Sequence, residues 1–453
     1  MIVPFLPAML PQAVAVCDDS GDSLTYSGLA HRALQLTAKL PREKSLVFLY
    51  ARNDIPTVSW FLASLATGHA VALLDPHLPD VSRLQLDECY QPAVVIDHDH
   101  VEVRGGAGIE LHRELAVLLS TSGSTGGAKF VRLTMANLQA NAAAIASSLR
   151  ISAGDVAAGH LPIHYSYGLS VLLSHLFCGA KTVLTTAGLM ERSFWPLMRE
   201  QHVSHFPGVP FHYEMLLRLG LARLGLSSLR TMTQAGGHLA LEAREKVYRF
   251  MNDHGGRFYV MYGQTEAAPR IATLDHDDFI RFSGTVGRAI PGGRLVIRDE
   301  SEFDLDAGRE GYIWYQGPNV MMGYAESVDD LARGDDFNGE LPTGDIGWLG
   351  IDGHLTITGR AKRMGKIYGH RVNLDEIERF VKSIHQESAV IQRGDKVSVY
   401  LAGDGGELAI VKLRASFSQR FTLPVLAWEF RLIDALPLTD RGKVDYRLIE
   451  SLE

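Results

Sequence analysis

From Ser45 onward, short unbroken apolar runs alternate with longer stretches whose apolar residues recur at helical spacing. Residues 46–50 (Leu-Val-Phe-Leu-Tyr) are continuously apolar and too few for a buried helix, so they predict a strand. Residues 54–67 predict a helix stopped by Gly68, 70–74 a second strand, 80–90 a helix and 93–96 a third strand. The same beat continues with strands at 115–119 and 130–133 and an alanine-rich helix over 137–149 opened by Thr134. Further units follow as strand 181–185, helix 193–202, strand 229–233, helix 241–253 and strand 258–261. A βαβ rhythm of this kind predicts a mainly parallel sheet with helices on its faces.

Beyond Gly284 the pattern shortens to β-rich segments with many glycines. A basic, turn-prone break follows at Gly359-Arg360-Ala361-Lys362-Arg363. Asn373 with Glu376 three residues on marks a helix start for 373–384, and strands 389–392 and 397–401 and a helix over 407–418 complete a small α+β unit. The fold class expected is therefore α/β. A large N-terminal domain (1–359) of βα-layered sheets with a β-rich subdomain precedes a small α+β C-terminal domain (363–453), and the boundary lies at 360–362. A chain of 453 residues is long enough for that division.

Composition changes this picture little. A net charge of −8 argues against a nucleic-acid-binding surface. Cys17, Cys89 and Cys178 lack metal or redox spacing and read as buried apolar residues in a reducing compartment. The start of the chain is apolar but broken by Pro4 and Pro7 and has no basic segment, so no signal peptide is expected. The longest apolar run, 169–177, is interrupted by His175 and is too short to span a membrane. A cytoplasmic protein with no membrane partner is expected.

The candidate chemistry sits in the turns. Thr121-Ser122-Gly123-Ser124-Thr125-Gly126-Gly127-Ala128-Lys129 lies between two buried strands. Glycines let backbone N–H groups turn inward, hydroxyls add neutral donors, and the lysine adds a mobile point charge, which together suit a polyphosphate. It is not the Walker form, because Ala128 precedes Lys129 and Phe130 follows it, and it leads into a strand rather than a helix. A second turn, 161–168, carries His164, Tyr165 and Tyr167; taken alone, His164 reads as structural. Gln234-Ala235-Gly236-Gly237-His238 and Tyr262-Gly263-Gln264-Thr265-Glu266 follow later strands. Ligands of open α/β sheets bind beyond the carboxyl ends of strands, so these turns predict one shared site. The run Asp97-His98-Asp99-His100 reads as a solvated turn rather than a metal site.

With Thr343-Gly344-Asp345, Gly359-Arg360, Gly369-His370-Arg371-Val372 and Pro437-Leu438-Thr439-Asp440-Arg441-Gly442-Lys443 added in order, the chain resembles the adenylate-forming superfamily. That superfamily comprises acyl-CoA synthetases, peptide-synthetase adenylation domains and beetle luciferases. The likeness runs from about Leu24 to Lys443. It implies an AMP-forming acid–thiol ligase using ATP and Mg²⁺. A carboxylate would attack the α-phosphate to give an acyl-adenylate and pyrophosphate, and a phosphopantetheine thiol would then displace AMP. By the family pattern Thr121, Ser122, Gly123, Ser124, Thr125 and Lys129 would hold the β,γ-phosphates, Thr265 would contact the α-phosphate, and Glu266 would ligate Mg²⁺. Gly236, Gly237 and Tyr262 would flank adenine, and Asp345, supported by Arg360, would accept from the ribose. Lys443, on a small mobile lid domain, would be brought to the reacting carboxylate in the first step. Rotation about Lys362 would then open a thiol channel near Gly369.

The resemblance also places His164 with the catalytic residues and Tyr165, Tyr167, Gln234 and Gln264 in the acyl pocket, beside the stretch 206–209. Tyr165 stands where amino-acid-activating members carry an aspartate, which favours a plain carboxylic acid of small or medium size. The acceptor stays open between coenzyme A and a carrier protein. An amine acceptor, or a non-catalytic nucleotide-binding relative, are the alternatives. Joint presence of Lys129, Glu266, Asp345, Arg360 and Lys443 argues against decay.

Overall fold

The computed structural model describes residues 2–7, 9–98, 100–104, 108–120, 129–367, 370–421, 423–439 and 444–452. The fold is mixed α/β, and the chain packs as two compact units. The first comprises 1–295 and 315–341; the second comprises 296–314 and 342–453.

In the first unit, six strands of a nine-stranded sheet run parallel. Their spatial order is Arg257–Gly263, Thr231–Gln234, His205–Gly208, Val156–Gly159, Lys181–Leu184 and Val14–Asp18. Antiparallel strands close its edges, Ser23–Thr25 on one side, Arg270–Leu274 and Arg288–Ala289 on the other. A seven-stranded sheet has at its centre the parallel strands Leu115–Ser120, Ala70–Leu74, Leu46–Tyr50 and Val94–Asp97. Phe130–Thr134 and Gly323–Ala325 extend it antiparallel.

Helices Ile55–Ala66 and Met135–Leu149 pack on strands of both sheets. Each starts on a side-chain cap. Asp54 accepts from Thr57 N, and Thr134 and Asn137 form a reciprocal box that satisfies two otherwise orphaned donors. Asn53, 5% exposed, ties the carboxyl ends of the two sheets together. Its Nδ2 donates to the carbonyls of Gly159 (2.9 Å) and Leu161 (3.0 Å), and its Oδ1 accepts from Ile163 N (3.1 Å).

Three expectations need correction. Residues 166–168 are not part of a turn, because Ser166–Phe177 is a buried helix with Tyr165 at its N-cap. Gly168 serves close packing there: a Cβ would lie 2.2 Å from the carbonyl oxygen of Pro162. The stretch 97–100 is not simply solvated, since Val94–Asp97 and His100–Val103 pair and Asp97 holds ion pairs with Arg52 and Arg83, each at 2.9 Å. Cys17 is buried as expected, whereas Cys89 and Cys178 are half-buried. Among the described residues, no helix is long and apolar enough to cross a membrane.

The second unit carries most of the four-stranded sheet formed by Arg294–Arg298, Gly311–Gln316, Glu340–Leu349 and Leu355–Arg360. It also holds a three-stranded sheet (Ser388–Arg393, Lys396–Ala402, Trp428–Ile433) and helices Leu374–Ile384, Gly406–Arg420 and Tyr446–Ser451. Arg363 anchors it, with Nε 2.8 Å from Asp375, Nη2 2.8 Å from Glu378 and its guanidinium 4.2 Å from the Tyr446 ring centroid. Glu378 also accepts from Lys382 (2.8 Å) and the Tyr446 hydroxyl (2.6 Å).

Burial alone would raise the Glu378 carboxyl, but Lys382 and Arg363 outweigh it and hold the group below its ordinary range. Folding therefore favours the ionised form. The stability this contributes is present above the unfolded value of about 4.3 and is lost as pH falls through the lower folded value. Glu378→Gln, which leaves the buried Arg363 with Asp375 as its remaining carboxylate, should destabilise the chain by about 2 kcal/mol at neutral pH and flatten its acid dependence below about pH 4. Thermal melts of the full chain across that pH range would check this; parallel wild-type and variant curves would refute it.

Candidate active site

The parallel register sets the site. Gly208, Gln234 and Val260 lie level on adjacent strands, so the turns that follow them emerge side by side at one sheet edge. Gly236, at φ +83°, could not be another residue, because a Cβ would lie 2.5 Å from the Tyr165 hydroxyl and 3.1 Å from Val209 Cγ1. Gln234 is buried with Nε2 donating to Gly237 O (2.8 Å), and its Oε1 is buried with no partner among the described residues. Gln264 Nε2 is likewise buried and unpartnered. Polar atoms orphaned in this way mark a place where a polar ligand gains hydrogen bonds at no cost to existing ones.

Thr265 is buried, its hydroxyl 3.1 Å from that of Ser166 at the start of the helix Ser166–Phe177. Glu266 Oε1 accepts from the Tyr324 hydroxyl at 2.9 Å, and its carbonyl accepts from Met321 N at 2.9 Å. Burial, then the charge of Glu266, push the Tyr324 phenol well above its ordinary range, so it stays a donor. Lys129 Nζ stands 3.8 Å from the centroid of the same tyrosine ring and 3.0 Å from Glu326 Oε1. Tyr324 thus brings together the lysine that ends the Gly/Ser/Thr loop and the acidic residue of the Tyr-Gly-Gln-Thr-Glu turn. The Lys129–Glu326 pair is exposed and worth about 1 kcal/mol at most, so a polyphosphate could displace the carboxylate readily.

Arg132, fully buried, fixes this geometry. It donates to the carbonyls of Tyr324, Arg333 and Gly334 and to Asp336 Oδ2, locking the strand Gly323–Ala325 onto Phe130–Thr134. Tyr167 is buried, with Tyr165, Val209, Ala235 and Met261 in one apolar cluster. Its hydroxyl lies 2.9 Å from both Thr233 O and Thr233 Oγ1. His164 is half-buried, its Nδ1 3.4 Å from Ala51 O and its Nε2 3.7 Å from Asp75.

In the second unit, Asp345 N donates to Thr343 Oγ1 (3.2 Å), and the Asp345 carboxylate lies 3.6 Å from Arg360 Nε. The two residues are paired across antiparallel strands. Lys362 is exposed. Thr121, Ser122, Gly123, Ser124, Thr125, Gly369 and Lys443 lie outside the described residues.

Residues 108–325 match the family model described as AMP-binding enzyme. The matched stretch is a little under half of the chain. The wider chain is 30% identical over 362 residues to a long-chain-fatty-acid–CoA ligase of Yersinia pestis, covering 74% of this chain and 61% of that one. It is 25% identical over 505 residues to the PKS-NRPS hybrid synthetase psoA of Aspergillus fumigatus, covering 98% of this chain and 12% of the relative. Among solved structures, the O-succinylbenzoate coenzyme A synthetase MenE of Bacillus subtilis, in complex with ATP and magnesium ion, matches with a TM-score of 0.77. That match covers 96% of each chain at 22% identity, a likeness that speaks for the fold. Within residues 108–325, sequence reasoning missed Tyr324, Arg132 and Ser166. Ser166 lay inside a motif already singled out, whereas nothing local marks Tyr324 or Arg132.

Proposed function

We propose that the protein is an AMP-forming acid–thiol ligase. The observation that carries the reading is the approach of Lys129 and Glu266 to one tyrosine, Tyr324, next to the buried Thr265 hydroxyl. A cation for phosphate oxygens, a carboxylate for a hard divalent ion and a neutral donor are the groups a triphosphate in transfer needs.

The oxygen donors present suit Mg²⁺, and Glu266 would hold it; the ion would neutralise charge on the phosphates. Lys129 and the Gly/Ser/Thr loop would hold the β,γ-phosphates and Thr265 the α-phosphate. Gly236, Gly237 and Tyr262 would face adenine, and Asp345 with Arg360 the ribose. An oxygen of the substrate carboxylate attacks the α-phosphorus as the bond to the bridging oxygen breaks, and pyrophosphate departs. A thiolate then attacks the acyl carbon of the mixed anhydride, the bond to the phosphate oxygen breaks, and AMP leaves. Lys443 would steady the first transition state. A hinge at Lys362, with a channel near Gly369, would admit the thiol of coenzyme A or of a carrier protein. The cluster around Tyr165 and Tyr167 supports a small or medium acid, with His164 beside it.

The deciding experiment is acid-dependent ATP–pyrophosphate exchange over aryl, short-chain and hydroxy acids. Exchange with at least one class is expected. No exchange with any acid, together with no binding of ATP, would overturn the reading.

A further inference from the structure

Three arginines of the first unit are buried, and two of them have acceptors. Arg132 donates to backbone carbonyls and pairs with Asp336 at 2.8 Å. Arg244 donates to Leu239 O at 2.8 Å and to Thr285 O at 3.2 Å. Arg270 is the exception. It is 2% exposed, its Nε is buried without a hydrogen-bond partner, and no carboxylate among the described residues pairs with it. Its guanidinium carbon lies 5.0 Å from the centroid of the Tyr167 ring, and His205 is near enough to feel its charge. A cation–π contact only partly offsets the loss of water around a buried guanidinium.

The backbone of Arg270 is held on both sides, so this placement is fixed. Its N–H donates to Asn141 Oδ1 (3.3 Å), and its carbonyl accepts from Asn141 Nδ2 (3.1 Å) and Asn319 Nδ2 (2.9 Å). It opens the strand Arg270–Leu274, beside Gly263 and four residues past Glu266. Tyr167 itself belongs to an apolar cluster with Tyr165, Val209, Ala235 and Met261. A buried guanidinium beside Tyr167 whose Nε has no acceptor among the described residues is arranged to meet an anion that arrives with the ligand.

We propose that Arg270 reads a second anionic group on the acyl substrate, so that the acid activated carries a carboxylate remote from the one that reacts. The inference rests on the ligase reading and adds the substrate class. One carboxylate is adenylated near Thr265 and Glu266 while the other accepts from the Arg270 guanidinium. Arg270 is then a specificity-determining residue.

The test is pyrophosphate exchange by the full chain with straight-chain and aryl diacids, each beside its monoamide. The ratio of kcat/KM for diacid over monoamide is read within one protein, so the folded fraction cancels. For the wild type this ratio should be about a hundred for the best pair. Arg270→Met should bring it close to one with monoamide activity retained, and Arg270→Lys should keep part of it. If Arg270→Met fails to fold, the Lys variant and the wild-type ratio decide. A wild-type ratio near one, or a ratio unchanged by either variant, overturns the inference while leaving the ligase reading intact. Exchange with no acid of any kind overturns the inference and, where ATP also fails to bind, the ligase reading with it.

Discussion

Lys443→Ala should lower acid-dependent pyrophosphate exchange by about two to three orders of magnitude, the range seen when one transition-state donor is removed. Thioester formation from supplied acyl-adenylate should stay within a few fold. An ammonium that bridges the attacking carboxylate and the α-phosphate acts only while charge is shifting between them. Once the anhydride exists, that task is finished. The two half-reactions, measured separately on one variant, check this. Equal loss in both would assign Lys443 to folding or to general binding instead.

Glu266→Gln should cut exchange by about a hundredfold at ordinary magnesium and raise the magnesium concentration giving half-maximal rate, because an amide oxygen is a far poorer ligand for a hard cation. The Tyr324 contact supplies a control. Tyr324 donates to Glu266 Oε1, so Tyr324→Phe removes a hydrogen bond to a charged group and leaves the carboxylate in place. Its effect should be smaller, about tenfold, with only a modest change in magnesium dependence. A magnesium titration of both variants separates these outcomes. An unchanged dependence for Glu266→Gln would remove the metal-ligand assignment.

Much of the sheet architecture was legible because buried parallel strands are short unbroken apolar runs. The strand Leu46–Tyr50 lies where the pattern put it, and Ala70–Leu74 and Met135–Leu149 follow closely. The residues before Ser45 were assigned no strand or helix, yet they hold the strand Val14–Asp18 and the helix Tyr26–Leu36. Their partners, such as Thr182 opposite Val16, lie far along the chain. The helix Ser166–Phe177 was misread at its start because Gly168 looks like punctuation when the reason for it is a neighbouring backbone. Of the site, the motif residues were legible one by one, and their convergence was not. Tyr324 joins Lys129 to Glu266 only once Gly323–Ala325 pairs with Phe130–Thr134. Arg270 carried a usable signal, a single charge in the apolar run 267–272, but its want of a partner is visible only in three dimensions.

The hydrogen-bonded run behind Tyr167 has a consequence for anyone reshaping the pocket. His175 Nδ1 faces the Val171 carbonyl at 2.8 Å and must donate to it, so Nε2 accepts from His205 Nδ1 at 3.1 Å. His205 Nε2, 3.4 Å from Thr233 Oγ1, is then left to accept in turn. The Tyr167 hydroxyl joins the same run, with Thr233 O and Oγ1 each at 2.9 Å. A substitution at Tyr167 therefore reaches beyond its own hydrogen bond, because Thr233 and the two histidines behind it would each have to re-pair.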